Sequence, residues 1–281
     1  MTRVEQLHEE ARVIMRNPLI MFHRKDELES MFRPTVLLAD DLKEIDTYLD
    51  DINDALIESG LPEDLTVTTI HLSGLGLTRL PEESILKLAS YPALNTLLLN
   101  DNELTRLPDS IGKLVGLQWL CLDDNELTTL PDGIGQLAAL EKLFLGHNEL
   151  TTLPDSIGKL TELKLLFMSY NKFTTLPDAV GKLVALELLC LSNNQFTTLP
   201  NVVTKLTGLE ALYLYNNWFT GLPDSIGQLV ALQTLCLDNN LLTSLPDAIG
   251  TLPELRKLYI SNNKLNQVEL ERPFLKKFQE K

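Results

Sequence analysis

Leucine and other aliphatic residues recur along the chain at the same points of a 23-residue step. Within the first full step, Leu97-x-Leu99 alternates with period two, which predicts a short strand with one buried and one outward face. Four further apolar residues indicate that the chain then turns back over the same interior: Leu104, Leu107, Ile111 and Leu114. One such unit cannot bury its apolar side alone, so the units are expected to stack along one axis.

An asparagine occupies the ninth position of every complete step. The register is set by leucines at the first position: Leu94, Leu117, Leu140, Leu163, Leu186, Leu209, Leu232 and Leu255. The asparagines are Asn102, Asn125, Asn148, Asn171, Asn194, Asn217, Asn240 and Asn263. Because an amide side chain offers both donors and an acceptor, it can satisfy buried backbone groups where the chain leaves a strand. We therefore predict an internal asparagine ladder.

Proline followed by aspartate marks the far side of most steps. Proline fixes φ and removes a backbone donor, and aspartate is a favoured N-cap residue. The sequence predicts a short helical turn there, with aspartate as its N-cap: Asp109, Asp132, Asp155, Asp178, Asp224 and Asp247. This acidic row is predicted to be solvated surface on the convex side.

The step reads Leu-x-x-Leu-x-Leu-x-x-Asn-x-Leu-Thr-x-Leu-Pro-Asp-x-Ile-Gly-x-Leu-x-x and resembles the leucine-rich-repeat family over about residues 65–268. The resemblance implies an α/β solenoid, a horseshoe whose concave side is a parallel β-sheet of about nine strands. A degenerate first repeat carries Leu75 at the asparagine position. The last strand is predicted at Leu258–Ile260.

The two ends of the chain lack the repeat. Residues 1–64 are predicted to form a helical N-terminal cap over the edge of the first strand, with a separate recognition or secretion module as the alternative. The clearest helix has apolar residues spaced by three and four: Leu42, Ile45, Leu49, Ile52 and Leu56. Weaker helical patterns span Val4–Ile14 and Met21–Phe32. Residues 269–281 are predicted to form a short helical C-terminal cap.

Net charge and hydropathy limit the kinds of binding partner and the cellular location that the sequence predicts. The net charge is −15, whereas binding to nucleic acid needs clustered Lys and Arg, so neither nucleic acid nor an anionic membrane is expected. No apolar run reaches the roughly 18 residues of a membrane span, and the N-terminus is too polar for a cleavable signal peptide. The sequence therefore predicts a cytoplasmic protein, or one secreted into a host cytosol without such a peptide.

No catalytic, cofactor-binding or metal-binding constellation emerges, so an enzyme is not predicted. The histidines show no metal-ligand spacing: His8, His23, His71 and His147. Cys121, Cys190 and Cys236 occupy the fifth repeat position, three and two repeats apart. Strands about 4.8 Å apart place even the nearer pair about 10 Å apart, beyond the roughly 7 Å that a disulfide allows. They are predicted to be free, accessible thiols in a reducing compartment.

Positions 3, 5, 7 and 8 of each repeat are predicted to face outward from the concave sheet, with position 10 on its rim. The middle of this surface is apolar and is predicted to be one exposed patch that binds a partner. Its residues are Trp119, Phe144, Leu165, Phe167, Tyr170, Leu188, Tyr213, Tyr215 and Trp218. The alternative is that these bulky side chains only cover one another across the strands.

These patterns indicate a non-catalytic, monomeric interaction module that binds a protein partner on its concave face. The repeats resemble those of bacterial leucine-rich-repeat effector proteins secreted into host cells, and are similar to intracellular Ras-associated repeat proteins of eukaryotes. One alternative is the substrate-recognition half of a ubiquitin-ligase effector whose catalytic domain is absent from this chain. Another is a scaffold that self-assembles through the same patch.

Overall fold

The computed structural model describes residues 36–38 and 68–279, and within them the chain is a stack of parallel strands in one sheet. Ten strands follow in chain order: β1 Val36–Leu38, β2 Thr69–His71, β3 Thr96–Leu98, β4 Trp119–Cys121, β5 Lys142–Phe144, β6 Leu165–Phe167, β7 Leu188–Cys190, β8 Ala211–Tyr213, β9 Thr234–Cys236 and β10 Lys257–Tyr259. From β3 onward each residue pairs with the one 23 positions later, as Leu120 does with Leu143. The predicted solenoid with a parallel sheet is confirmed.

The first strand lies outside the repeats and adds one strand to the nine that were predicted, all of which are present. Val36–Leu38 pairs in register with Thr69–His71, so the described residues contribute ten strands to the sheet, and β1 covers the edge of β2. A three-residue apolar run is too short for its period to show in the sequence. Apart from these three residues, the predicted N-terminal helices and the predicted boundary at residue 64 lie outside the described residues.

The convex side is built mainly of 3₁₀ turns. They lie at Asp109–Lys113, Asp132–Gln136, Asp155–Lys159, Asp178–Lys182, Val203–Lys205, Asp224–Gln228 and Asp247–Thr251. In six of the turns the aspartate is the first turn residue, and an extended proline stands before it as the cap, without a side-chain bond. The N-cap assignment of the aspartates is therefore wrong. Asp109 instead accepts a hydrogen bond through Oδ1 from the backbone N–H of Gly133 in the next repeat, at 3.0 Å.

Helical segments flank the repeats in the described region. Helix α1, Glu82–Leu88, forms the back of the first repeat and buries Ile85 and Leu88 completely. At the other end, α2 spans Gln267–Leu270, a 3₁₀ turn spans Pro273–Leu275, and α3 spans Lys276–Gln279. The predicted C-terminal helical cap is confirmed, and its Leu275 packs into the leucine core.

At position 19 of some repeats, close contacts between successive turns leave no room for a side chain larger than that of glycine. A Cβ on Gly135 would lie 2.3 Å from the carbonyl oxygen of Ser156, whereas a Cβ on Gly227 would first meet the Cβ of Ala248 at 3.1 Å. We expect Gly135→Ala to lower the free energy of unfolding by about 1–3 kcal/mol, because the backbone of the next repeat must shift. Gly227→Ala is the matched control and should change it by less than about 1 kcal/mol. Urea denaturation compares the two, and equal losses would contradict the restriction.

Candidate functional site

Positions 3 and 5 of the repeats form an apolar cluster on the opposite face of the sheet from the leucine core. We call it the concave cluster; it comprises Leu98, Cys121, Phe144, Leu165, Phe167, Leu188, Cys190, Ala211, Tyr213 and Cys236. Trp119 and Tyr215 are half-buried against it. Because side chains alternate along a strand, the register that buries Leu143 in the core places Lys142 and Phe144 on the concave side. The structure therefore brings most of the predicted site residues together.

Burial corrects the prediction that this patch is exposed. Phe144 exposes 1% of its surface and Leu188 exposes none. Five of the predicted binding residues are buried in this way: Phe144, Leu165, Phe167, Leu188 and Tyr213. The rings of Phe144 and Phe167 stack with centroids 4.8 Å apart, and Trp119 lies against Phe144 at 5.8 Å. Side chains on strands about 4.8 Å apart thus cover one another's flanks, which agrees with the alternative interpretation of these residues.

The cysteines belong to the same buried layer. All three are free, as predicted, but Cys121, Cys190 and Cys236 are buried, so the prediction of accessible thiols is wrong. Burial raises the pKa of each thiol, to about 12 for Cys236, where the Asp238 carboxylate adds to the effect. The thiols are therefore protonated and poorly nucleophilic at neutral pH.

The exposed part of the site is the edge of the sheet beyond the strand ends. We call His147, Tyr170, Tyr215 and Trp218 the aromatic rim. Tyr170 and Trp218 are about half exposed, and His147 is exposed. The rings of His147 and Tyr170 stack with centroids 4.0 Å apart, and Nδ1 of His147 lies 3.8 Å from Oδ1 of Asp124. His147 was missed by the sequence analysis, although its place at position 8 of its repeat was visible.

Position 8 has a left-handed backbone in every complete repeat. Its residues are Asp101, Asp124, His147, Tyr170, Asn193, Asn216, Asn239 and Asn262, with φ between 50° and 56°. Asn, Asp and His are enriched in this conformation, whereas a bulky residue there is unusual. Tyr170 is thus a large side chain in a conformation that folding alone would assign to asparagine.

Carboxylates gather beside the concave cluster at the ends of β3 and β4. We call Asp101, Asp123 and Asp124 the acidic corner. Burial raises the pKa of Asp123 to about 7, even though its carboxylate accepts hydrogen bonds from the Gly146 backbone at 2.5 Å and from the Cys121 thiol at 3.4 Å. Burial also raises the pKa of Asp124, and the neighbouring His147 lowers it. The corner therefore favours a cationic neighbour.

Among residues 36–38 and 68–279, no group of three or more His, Cys, Asp and Glu side chains is placed to hold a metal ion. No helix within those same ranges has the length and apolar character that crossing a membrane requires. What the face offers is apolar contact, aromatic stacking and hydrogen bonding.

Comparison with known families defines the class of protein. The family described as leucine-rich repeat region matches residues 151–280, and the family described as leucine rich repeat matches residues 92–150 and 115–173. Together with the solenoid geometry, these matches show that the chain belongs to the leucine-rich-repeat proteins. Comparison with curated proteins gives no significant match.

Solved structures place the chain near bacterial members of this class. A leucine-rich-repeat protein of Leptospira interrogans is 34% identical, with a TM-score of 0.70; the match covers 86% of this chain and 63% of that one. The functional domain of InlJ from Listeria monocytogenes is 26% identical, with a TM-score of 0.60 and 73% and 42% coverage. The leucine-rich-repeat ectodomain of the Arabidopsis thaliana receptor kinase GASSHO1/SCHENGEN3, solved in complex with CASPARIAN STRIP INTEGRITY FACTOR 2, is 32% identical, with a TM-score of 0.60 and 73% and 26% coverage. The chain thus spans less than two thirds of the length of each.

Proposed function

We propose that this protein is a non-catalytic interaction module that binds a protein partner on the concave side of its solenoid. The exposed aromatic rim makes the contact, because the concave cluster beside it is buried. The single observation that carries the proposal is Tyr170, an exposed aromatic residue held in a left-handed backbone conformation. Such a residue is costly for folding and is typical of sites that are selected for binding.

The chemistry of the rim supports a protein partner. Aromatic residues dominate the contacts that contribute most to protein–protein affinity, and Tyr170 and Trp218 are each about half exposed. The stacked His147 ring and the Asp124 carboxylate add hydrogen-bonding groups that can orient a peptide. The plant receptor ectodomain solved with a bound factor has the same fold, which also supports this use of a repeat surface.

An effector role is the narrower form of the same proposal: the partner is a host protein, met after secretion into the host cell. The effector role is supported by the near-uniform repeat sequence, which resembles that of bacterial effectors, and by the similarity to the Leptospira interrogans protein. The two forms differ in the lysate that supplies the partner, so one experiment separates them.

Photo-crosslinking from the rim tests the proposal. We expect a photoreactive phenylalanine in place of Tyr170 or Trp218 to capture a defined partner, and one in place of Asp155 on the convex side to capture none. Parallel arms with host and bacterial lysate assign the source of the partner. Capture from position 155 alone would contradict the concave site, and a partner found only in the bacterial lysate would contradict the effector role.

Calorimetry with the captured partner gives the energetic test. Tyr170→Ser and Trp218→Ser should each weaken binding by about 2 kcal/mol, or about 30-fold, if these rings are binding hot spots. The charge reversals Asp132→Lys and Asp155→Lys on the convex side are the matched controls and should change affinity little at physiological salt. Loss of binding in the controls but not in the rim variants would refute the proposal.

A further inference from the structure

The leucine core has an unfilled end beside β10, the edge strand of the sheet. The core-facing residues of this edge, Leu258 and Ile260, are only half-buried, whereas their counterparts one repeat earlier, Leu235 and Leu237, expose no surface. The C-terminal cap stands beside this end and leaves a pocket of about 340 Å³. The apolar lining of the pocket consists of Leu258, Ile260, Leu265, Leu270, Leu275 and Phe278.

Backbone groups at the same edge lack the partners that their counterparts have. One repeat earlier, the Gln233 carbonyl accepts a hydrogen bond from the next strand at 3.0 Å, and the Leu237 N–H donates to the Tyr259 carbonyl at 2.7 Å. The equivalent groups at the edge are the Arg256 carbonyl and the Ile260 N–H. Neither has a hydrogen-bond partner among the residues that the structure describes. An edge with open donors and acceptors is a template for a further strand.

The charge around the pocket is positive, although the whole chain has a net charge of −15. Residues 254–279 carry six basic and three acidic side chains. Four of the basic residues are exposed and form no ion pair within the described part of the chain: Lys257, Lys264, Lys276 and Lys277. Three of them adjoin lining residues in the sequence, since Lys264 precedes Leu265 and the other two follow Leu275. An occupant of the pocket should therefore carry acidic residues beside its apolar ones.

We propose that this end of the solenoid binds an extended acidic segment of a partner protein, which adds a parallel strand to β10. The segment carries two large apolar residues separated by one residue, because side chains two apart on a strand face the same side. These two side chains enter the pocket over Leu258 and Ile260, and an acidic residue directly before the first of them lies opposite Lys257. Main-chain hydrogen bonds supply affinity, and the pocket selects the side chains.

The β10 site is separate from the aromatic rim. Four strand spacings, about 19 Å, separate β10 from β6, the strand that precedes Tyr170. The two sites can therefore be occupied independently, and the inference goes beyond the proposed function. Tyr170→Ser should leave binding at β10 unchanged.

Fluorescence anisotropy with a labelled peptide tests the site on the full chain. The probe is Asp-Glu-Leu-Thr-Leu-Asp-Glu, and the control peptide has serine in place of both leucines. We expect saturable binding of the probe, and binding of the control that is weaker by about tenfold or more. The proposal is overturned if the probe shows no saturable binding or if the two peptides bind equally.

Methylation of single peptide nitrogens tests the strand geometry. In the sheet, the Lys257 N–H donates to the Gln233 carbonyl of the preceding strand at 3.0 Å, and the next N–H along a strand points to the opposite side. N-methylation of the glutamate before the first leucine should therefore weaken binding by about tenfold or more. N-methylation of that leucine is the matched control and should be tolerated. Equal losses would contradict an added parallel strand.

A tryptophan in the wall of the pocket tests its role. Leu270 lines the pocket, whereas Val268, exposed on the same helix α2, lies outside the lining. Leu270→Trp should fill the pocket and abolish probe binding without lowering the unfolding midpoint. Val268→Trp is the matched control and should bind like the wild type. Probe binding that is unchanged in Leu270→Trp would refute the site.

Charge variants keep the proposal testable even if the tryptophan disturbs the cap. Lys257→Glu/Lys264→Glu should weaken probe binding by about tenfold or more at low salt, and the loss should decrease as salt screens the exposed charges. Lys113→Glu/Lys159→Glu makes the same charge change at exposed convex positions and should bind like the wild type. Equal affinities of the two double variants would overturn the proposal.

Sedimentation of the wild-type protein without peptide tests the rival occupant, a second copy of this chain. We expect no concentration-dependent dimer that depends on the β10 edge. A dimer that forms in the wild type and in Val268→Trp but is lost in Leu270→Trp would show that a second copy occupies the edge, and it would overturn the proposal.

Discussion

Replacing Phe144 with alanine should destabilise the protein by about 3–5 kcal/mol, the usual cost of removing a fully buried phenylalanine ring. Phe144 is 99% buried and holds together three strands, because its ring contacts those of Trp119 on β4 and Phe167 on β6. Truncation therefore removes two aromatic contacts and leaves a cavity beside Cys121, which pairs with Phe144 across the strands. Chemical denaturation monitored by circular dichroism measures the loss.

Trp218→Ala is the control for this prediction. It removes a larger aromatic side chain, but one that is about half exposed on the rim, so we expect a loss of about 1 kcal/mol or less. The ratio of the two losses reports which aromatic residues support the fold and which remain free for binding. A Phe144→Ala loss no larger than that of Trp218→Ala would mean that the concave cluster contributes nothing to stability.

The solenoid could be predicted from the sequence because the same residue types recur at the same positions of each repeat. Leucine spacing and the ninth-position asparagine agree in all eight complete repeats, and the proline on the convex side is present in seven of them, so the strand register and the sheet could be predicted directly. The ten-strand count could not, because Val36–Leu38 carries no repeat signal of its own. A periodic sequence pattern reveals a repeat, but it cannot reveal an isolated strand of three residues.

The sequence predicted which residues share the concave face, but it did not predict how far their side chains are exposed to solvent. Alternation along the strand correctly grouped Phe144, Phe167 and Tyr213 on one face. Burial depends on what lies over that face, which is a long-range property that strand periodicity does not contain. The left-handed conformation of Tyr170 likewise follows from the shared turn at position 8, and it becomes informative only after the backbone is known.

The second large effect is expected from the asparagine ladder. Nδ2 of Asn171 donates to three backbone carbonyls, of Leu145 at 2.8 Å, Met168 at 3.3 Å and Ser169 at 3.2 Å. Its Oδ1 accepts a hydrogen bond from the backbone N–H of Leu150 at 2.9 Å. Each amide thus ties its own repeat to the one before it, which confirms the internal role predicted for these residues.

Asn171→Ala should lower the free energy of unfolding by about 3 kcal/mol, because it leaves a buried backbone N–H without a partner and weakens the bonds of three carbonyls. Asn263 is a closely matched control: its amide makes the same four bonds, to Leu242, Leu237, Ile260 and Ser261. It lies at the end of the ladder and is partly exposed, so water can replace the lost bonds, and Asn263→Ala should cost about 1 kcal/mol. Urea denaturation of both variants decides the point. Equal losses would show that burial does not set the strength of the ladder, since the hydrogen bonds removed are the same.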